Sequence, residues 1–301
     1  SADGVKLAAV VNNGYLYTST DSGVTWTERT TLGQKSWYAV ASSTDGTKLV
    51  AVADQYRIFT SIDSGSTWTQ QNGTSSSLKW HSVASSADGS KLIAGAFQDR
   101  LYVSTDSGVT WTGRENSRNW NAVASSTDGT KLVACVFGGQ LYTSTDSGVN
   151  WTARESARNW QSVASSADGS KLVAAEKDGQ IYVSPDGGVN WSPIADTQNW
   201  YGLASSEDGT KLLASVFGGQ LYTLSAAPPP PPPTISLSFS GGTLTLSWPD
   251  TATGYQVEST TTLIAPVPWG LEPGSPQIGD GFISLMVPTT GPQKVFRLRK
   301  P

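Results

Sequence analysis

Apolar and polar residues alternate in short stretches along much of the chain, and the segment from Trp120 to Asn159 shows the pattern clearly. Trp120 to Ser125 alternates between apolar and polar side chains, whereas Lys131 to Phe137 is largely apolar, as expected of a buried strand. Asp128-Gly129 separates the two stretches and favours the positive φ angles of a tight hairpin turn. Two further extended stretches follow after turns, so the segment predicts four short antiparallel strands.

Tryptophan recurs in two series that reveal an internal repeat. One series closes segments of the form Ser-x-Asp-x-Gly-x-x-Trp, at spacings of 42, 43, 40 and 40 residues. Its aspartates and tryptophans are Asp21, Trp26, Asp63, Trp68, Asp106, Trp111, Asp146, Trp151, Asp186 and Trp191. The second series opens each unit with Trp37, Trp80, Trp120, Trp160 and Trp200. Four strands in each repeat of about 40 residues are typical of a β-propeller blade, so the predicted fold is all-β.

The ends of the repeat region do not match complete units. Six copies of an Asp-Gly turn, from Asp3-Gly4 to Asp208-Gly209, predict six blades. We expect the first blade to lack its inner strand and the last to lack its outer strand. Bare strand edges invite pairing with another chain. The alternative is that residues before Ser1 have been removed from the native protein.

The Ser-x-Asp-x-Gly-x-x-Trp element resembles the Asp box, or BNR repeat, of sialidases and many other propeller proteins. The resemblance implies that each copy joins the third and fourth strands at the edge of a blade, away from any catalytic centre. A short Asp side chain can accept backbone N–H bonds within such a turn, and the Trp can cover the hairpin. These Asp and Trp residues are therefore expected to be structural.

The propeller is predicted to span residues 1–225, and a second domain follows a proline-rich linker at 226–233. Six consecutive prolines favour a stiff polyproline II spacer, with a PxxP ligand as the alternative reading. Residues 234–301 contain five strand-like runs and resemble a small fibronectin type III or immunoglobulin-like β-sandwich. The runs are 235–239, 243–248, 254–259, 282–287 and 294–298.

The composition limits the chemistry available to this chain. One His, one Cys and one Met leave little material for His-dependent catalysis, a multi-Cys metal site or disulfides. A net charge of -4 disfavours a general nucleic-acid binder, and no apolar run reaches the roughly 20 residues of a membrane span. His81 is interpreted as a tolerated polar substitution and Cys135 as a small core residue. No metal or cofactor is predicted.

Sialidase activity is not expected, although it remains the least favoured alternative function. The Arg-Ile-Pro motif of sialidases is absent, since Arg57 is followed by Ile58 and Phe59. Several arginines recur at equivalent repeat positions, whereas catalysis requires one asymmetric constellation. The chain is therefore predicted not to be an enzyme.

The segments that join one blade to the next carry the candidate ligand-binding residues. Two nearly identical copies provide Arg114, Glu115, Arg118, Asn119, Trp120, Arg154, Glu155, Arg158, Asn159 and Trp160. An aromatic face beside such polar groups suits a sugar ring. The alternative is that each Trp wedges between adjacent blades while Arg and Glu pair on the surface. N-glycosylation patterns occur at Asn72, Asn150 and Asn190.

Near-identical neutral repeats favour a non-enzymatic extracellular or cell-surface protein. One role is a structural subunit whose open blade edges and second domain join neighbouring copies head to tail into a fibril. The other is glycan or protein binding through repeated sites between blades. The predicted partners are therefore further copies of the chain, or surface glycans and proteins.

Overall fold

The structure, a computed structural model, describes residues 1–75, 78–225, 234–250, 255–262, 268–288 and 293–299. The chain forms two compact units, Ser1–Ala226 and Ala227–Pro301. The predicted linker at 226–233 and position 254 of the predicted third run lie outside the described residues. Both units are built from antiparallel strands, and the described residues contain one 3-10 turn at Thr30–Leu32 and no α-helix.

The first unit is a β-propeller of six blades whose first and last blades are incomplete. Blade 1 contains Leu7–Val10, Leu16–Ser19 and Thr27–Glu28, and its hairpin segment Asn12–Gly14 pairs with blade 2. Blade 2 contains Lys35–Ser42, Leu49–Ala53, Phe59–Ser61 and Thr69–Gln70. Blade 6 contains Gln198–Ser205, Lys211–Val216 and Leu221–Ser225.

In blades 3 to 5, several long strands each occupy two of the strand positions of the repeat. Some of them pass from the last strand position of one blade into the first of the next. Blade 3 contains Lys79–Ser85, Leu92–Ser104 and the first part of Thr112–Ser125. Blade 4 contains the rest of Thr112–Ser125, then Leu132–Ser144 and the first part of Thr152–Ser165. Blade 5 contains the rest of Thr152–Ser165, Leu172–Gly179, Ile181–Ser184 and Ser192–Pro193. Register shifts interrupt the long strands where the chain passes between blades.

The Asp-Gly turns fold as the sequence predicts. Gly129 adopts φ 67°, a left-handed conformation that glycine reaches without steric cost. Asp128 stabilises the turn because its carboxylate accepts the Thr130 N–H at 2.9 Å. The turn then leads into Leu132, at the start of a strand that is buried through Val136.

The second unit consists of two small sheets. One sheet has the order Ser236–Ser240, Thr243–Pro249, Phe282–Pro288 and Gln277–Gly279, and the other has the order Gly270–Leu271, Gln256–Thr260 and Val295–Arg299. Leu246, Trp248 and Leu285 from the first sheet share a core with Val257 from the second, which makes the unit a β-sandwich. The two short strands Gly270–Leu271 and Gln277–Gly279 were not among the predicted runs.

Candidate interaction surface

The core of the propeller lies between neighbouring blades. At the join of blades 4 and 5, Val133 and Leu141 pack against Trp160, Leu172 and Ala174. Each of these side chains is at most 6% exposed. We define the forward face of a blade as the face that carries the equivalents of Val133 and Leu141. The rear face is the one that carries the equivalents of Trp160 and Leu172. Apolar burial of this kind is the main stabilising contribution to a fold.

Each opening tryptophan of blades 2 to 6 is fully enclosed in such a join. Trp120 and Trp160 are 0% exposed, and their ring N–H groups donate to the Asn116 and Ser156 carbonyls of the connecting segments. Trp160 also packs edge-on against Tyr182, with ring centroids 5.3 Å apart. The structure therefore places these rings as wedges between blades, where neither face is open to a sugar.

Arg118 and Arg158 of the connecting segments each lie over a tyrosine ring, and Arg158 also pairs with two glutamates. Arg158 lies 3.7 Å from Glu155 and 3.4 Å from Glu176, and its guanidinium sits 4.7 Å from the centre of the Tyr182 ring. Arg118 covers Tyr142 in the same way at 5.0 Å. Each arginine therefore lies over a tyrosine that belongs to the core between two blades.

The remaining members of the predicted site occupy equivalent backbone positions in the two copies. Arg154 donates to the Thr143 hydroxyl at 3.0 Å. The backbones of Glu115 and Glu155 adopt φ 57° and 52°. Asn119 and Asn159 pair with Phe97 and Phe137 of the preceding hairpins. Each of the described pockets is lined by at most one of these predicted residues.

The Ser-x-Asp-x-Gly-x-x-Trp hairpins are held by hydrogen bonds centred on the aspartate. Asp21 accepts from the Thr25 hydroxyl at 2.6 Å, from the Thr25 N–H at 2.9 Å and from the Ser19 hydroxyl at 2.7 Å. These bonds favour the ionised carboxylate, and they lower the pKa of Asp21 to about 2. The Trp26 ring N–H closes the hairpin on the Gly23 carbonyl at 3.0 Å.

Two of the predicted glycosylation positions belong to these hairpins. The side-chain amides of Asn150 and Asn190 donate to Asp146 and Asp186 at 2.7 and 2.6 Å. Asn72 is exposed, and its carbonyl accepts from Arg57 at 3.0 Å. Glycosylation itself stays a prediction.

The forward face of blade 6 is exposed, in contrast to every earlier blade. Leu221 is 70% exposed, whereas its equivalents in blades 1 to 5 are all 0% exposed. Those equivalents are Leu16, Ile58, Leu101, Leu141 and Ile181. Leu213 is 42% exposed, whereas its equivalents in blades 2 to 5 are at most 1% exposed. A strand sequence that elsewhere forms core is therefore left on the surface.

The rear face of blade 1 is also uncovered. Trp26 is 43% exposed, whereas the equivalent Trp111 of blade 3 is 9% exposed. Val11 is 47% exposed, whereas its equivalents Ala53 and Ala96 are 0% exposed. Both ends of the series of blades thus present apolar surface.

Small residues from all six blades line one mouth of the central channel. The lining consists mainly of Ser, Thr and Ala, and Glu207 is its one charged side chain. Five hydrogen bonds of 2.7 Å connect the blades there, from the Ala2 N–H to the Thr44 carbonyl and onward to Glu207. The described residues contain no group of three or more potential metal ligands.

Sequence reasoning missed an aromatic cluster near the starts of the inner strands. His81 stacks between Tyr38 and Phe97, at centroid distances of 4.8 and 4.7 Å, and its Nδ1 lies 3.2 Å from Asn121 Oδ1. Burial lowers the pKa of His81 and favours its neutral form. The signal available in the sequence was the variation of this position between repeats.

The chain matches no family model and no curated protein sequence. Its fold is similar to that of a GH74 xyloglucanase from Xanthomonas campestris, with a TM-score of 0.57 and 17% identity over 81% of this chain. The chain spans 49% of the length of that enzyme. At this identity the likeness shows the β-propeller fold alone.

Two further solved structures are similar over a comparable part of the chain. YCF48 bound to a D1 peptide has 17% identity and a TM-score of 0.49, over 73% of this chain and 78% of its own. YCF48 from Cyanidioschyzon merolae has 15% identity and a TM-score of 0.40, over 71% and 89%. In the part of the present chain that the structure describes, no helix is long and apolar enough to cross a membrane.

Proposed function

We propose that this chain is a non-enzymatic extracellular or cell-surface protein that joins its own copies head to tail. The observation that carries the proposal is the exposure of Leu213 and Leu221 on the forward face of blade 6. The five internal joins indicate what covers such a face, namely the rear face of another blade. The uncovered rear face in the described chain belongs to blade 1. Because Leu221 and Trp26 both stay exposed in the single chain, these two faces do not cover each other there, and a second copy is the proposed partner.

The energetics favour a contact of this kind. Fully burying one Leu side chain stabilises a contact by about 1.5–3 kcal/mol, and a forward face carries two exposed leucines. A contact between two different surfaces of the same chain propagates into a fibre unless its rotation closes a ring. Repeated head-to-tail contacts would therefore suit a structural surface assembly.

The absence of enzymatic activity is part of the proposal. It is supported by the small residues at the channel mouth and by the structural contacts of Arg118 and Arg158. We also retain the Asp-box resemblance for the hairpins and the fibronectin III or Ig-like resemblance for the sandwich as proposals. The hydrogen bonds of Asp21 and the two-sheet core around Val257 support them.

The proposal is tested by placing a charge on the exposed forward face. Leu221→Glu should reduce self-association about tenfold or more, since a charge there opposes burial of the face. Ile62→Glu is the matched control, because Ile62 is 76% exposed and lies away from both end faces. Light scattering after size exclusion measures the mass across a concentration series. A wild-type chain that stays monomeric throughout would overturn the proposal.

Glycan binding is the second candidate, and one observation favours it at a different place from the predicted one. Tyr38 is 44% exposed and Tyr201 is 57% exposed, whereas Trp120 and Trp160 are 0% exposed. His81 covers one face of the Tyr38 ring, so a sugar would stack on the other face. A glycan array should then lose its signal with Tyr38→Ala and Tyr201→Ala but keep it with Val24→Ala. Absence of any retained glycan would remove this candidate.

A further inference from the structure

The internal joins share a set of close contacts that the two end faces do not make. At the four joins from blade 1 to blade 5, a glycine in the hairpin of the following blade lies against a side chain of the preceding blade. A Cβ added to Gly65 would lie 2.6 Å from the Thr18 methyl, and one added to Gly188 would lie 2.7 Å from the Thr143 methyl. For the equivalent glycine of blade 1, Gly23, the three atoms nearest to an added Cβ belong to Leu7 and Trp26 of its own blade.

The missing counterpart of Gly23 is present at the other end of the propeller. Thr223 of blade 6 occupies the position of Thr18 and Thr143 in the repeat. Thr18 and Thr143 are 2% and 5% exposed, whereas Thr223 is exposed. One end therefore offers a free threonine methyl, and the other offers the glycine that such a methyl contacts.

A second pair of positions shows the same relation. A Cβ on Gly169 would lie 2.7 Å from the Lys131 Cβ, and one on Gly209 would lie 2.8 Å from the Lys171 Cβ. Gly4 of blade 1 would meet nothing within 4 Å. The lysine at the equivalent place in blade 6 is Lys211.

The backbone hydrogen bonds at the channel mouth provide a third pair of positions. Each of blades 1 to 5 donates one N–H to a carbonyl of the next blade, along the series Ala2, Thr44, Ala87, Thr127, Ala167 and Glu207. The five bonds are each 2.7 Å long. The series begins at the Ala2 carbonyl and ends at the Glu207 N–H, so the two ends are a complementary acceptor and donor.

We propose that blade 6 of one copy and blade 1 of the next form a sixth inter-blade join in the register of the internal five. Thr223 then contacts Gly23, Lys211 covers Gly4, and the Glu207 N–H donates to the Ala2 carbonyl. This inference rests on the proposed head-to-tail assembly and names its contact residues. Because the sixth join forms between two chains, it depends on protein concentration.

Cross-linking between the proposed partner positions tests the register. Ala2→Cys with Glu207→Cys, treated with a short bis-maleimide, should give a ladder of covalent multimers. Thr127→Cys with Ala167→Cys is the matched control, because that pair makes the same 2.7 Å contact within one chain and should give cross-linked monomer. Cys135 is buried, and burial raises the pKa of its thiol to about 12, so it should not react.

The outcomes separate this inference from the assembly itself. Multimers by light scattering without a covalent ladder would overturn the register and leave head-to-tail assembly in place. Monomers by both measurements would overturn both proposals. A cross-linked monomer from Ala2→Cys with Glu207→Cys would overturn the join between copies, because blade 6 would then contact blade 1 of the same chain.

A second variant tests the threonine contact without a reagent. Thr223→Trp should weaken self-association about tenfold or more, because the indole cannot fit against Gly23. Thr152→Trp, at an exposed position in another blade, should leave association unchanged. Equal association of both variants with the wild type would contradict the Thr223 contact.

Discussion

The interior blades and the two end blades carry nearly the same strand sequences but bury them differently. Leu141 of blade 4 is 0% exposed and Leu221 of blade 6 is 70% exposed, although both occupy the same position in the repeat. The neighbour, and not the strand itself, decides whether such a residue forms core. A repeat fold therefore creates its own binding surface wherever the series of blades stops.

Substitution of a tryptophan should give the largest difference in lost stability between an interior blade and an end blade. Trp160→Ala should destabilise the propeller by about 3–5 kcal/mol, because it removes a fully buried ring and leaves a cavity. Trp26→Ala should cost clearly less, since its ring is 43% exposed. Urea unfolding followed by circular dichroism measures both changes. Equal losses would contradict the distinction between interior and end.

A smaller difference between interior and end blades is expected at the aliphatic position that Leu141 and Leu221 share in the repeat. Leu141→Ala should destabilise the fold by about 2–5 kcal/mol. Leu221→Ala should have little effect on a single chain but should weaken self-association. Thermal unfolding at low and high protein concentration separates the two effects, and a large loss from Leu221→Ala at low concentration would indicate a face already covered within one chain.

The smallest contrast concerns acid, because the hairpins of end and interior blades make the same hydrogen bonds. Asp21 in blade 1 and Asp146 in blade 4 both have a pKa lowered to about 2 from the ordinary value of 3.8. Their contribution to stability is present above pH 3.8 and is lost as the pH falls toward 2. The melting temperature should therefore fall over that interval.

Asn substitutions test the acid response at both places. Asp21→Asn and Asp146→Asn should each reduce the dependence of the melting temperature on pH, and to a similar extent. A pH profile that neither substitution changes would show that these hairpins do not contribute to the acid response.

The repeat allowed much of the propeller to be predicted from sequence. Trp120 and the Asp128-Gly129 turn recur at fixed spacings, so their strand and turn positions follow from local chemistry. Sequence left open whether Trp120 faces a sugar or a neighbouring blade, since that depends on packing between repeats. The sequence also did not predict the stack of Tyr38, His81 and Phe97, because these residues come from two blades.

The second unit was less predictable than the propeller because it has no repeat. Its core strands around Trp248 and Leu285 carry an alternating pattern, and the sequence predicted them. Gly270–Leu271 has two residues and Gln277–Gly279 has three, which is too short for a period of two to be recognised. Pairing with longer neighbours makes them strands.

Electron microscopy of the wild-type chain across a concentration series tests the head-to-tail account most directly. The account predicts rows of propellers joined end to end, which lengthen as the concentration rises and shorten in Leu221→Glu. Single dispersed particles at every concentration, with wild type and variant alike, would contradict it.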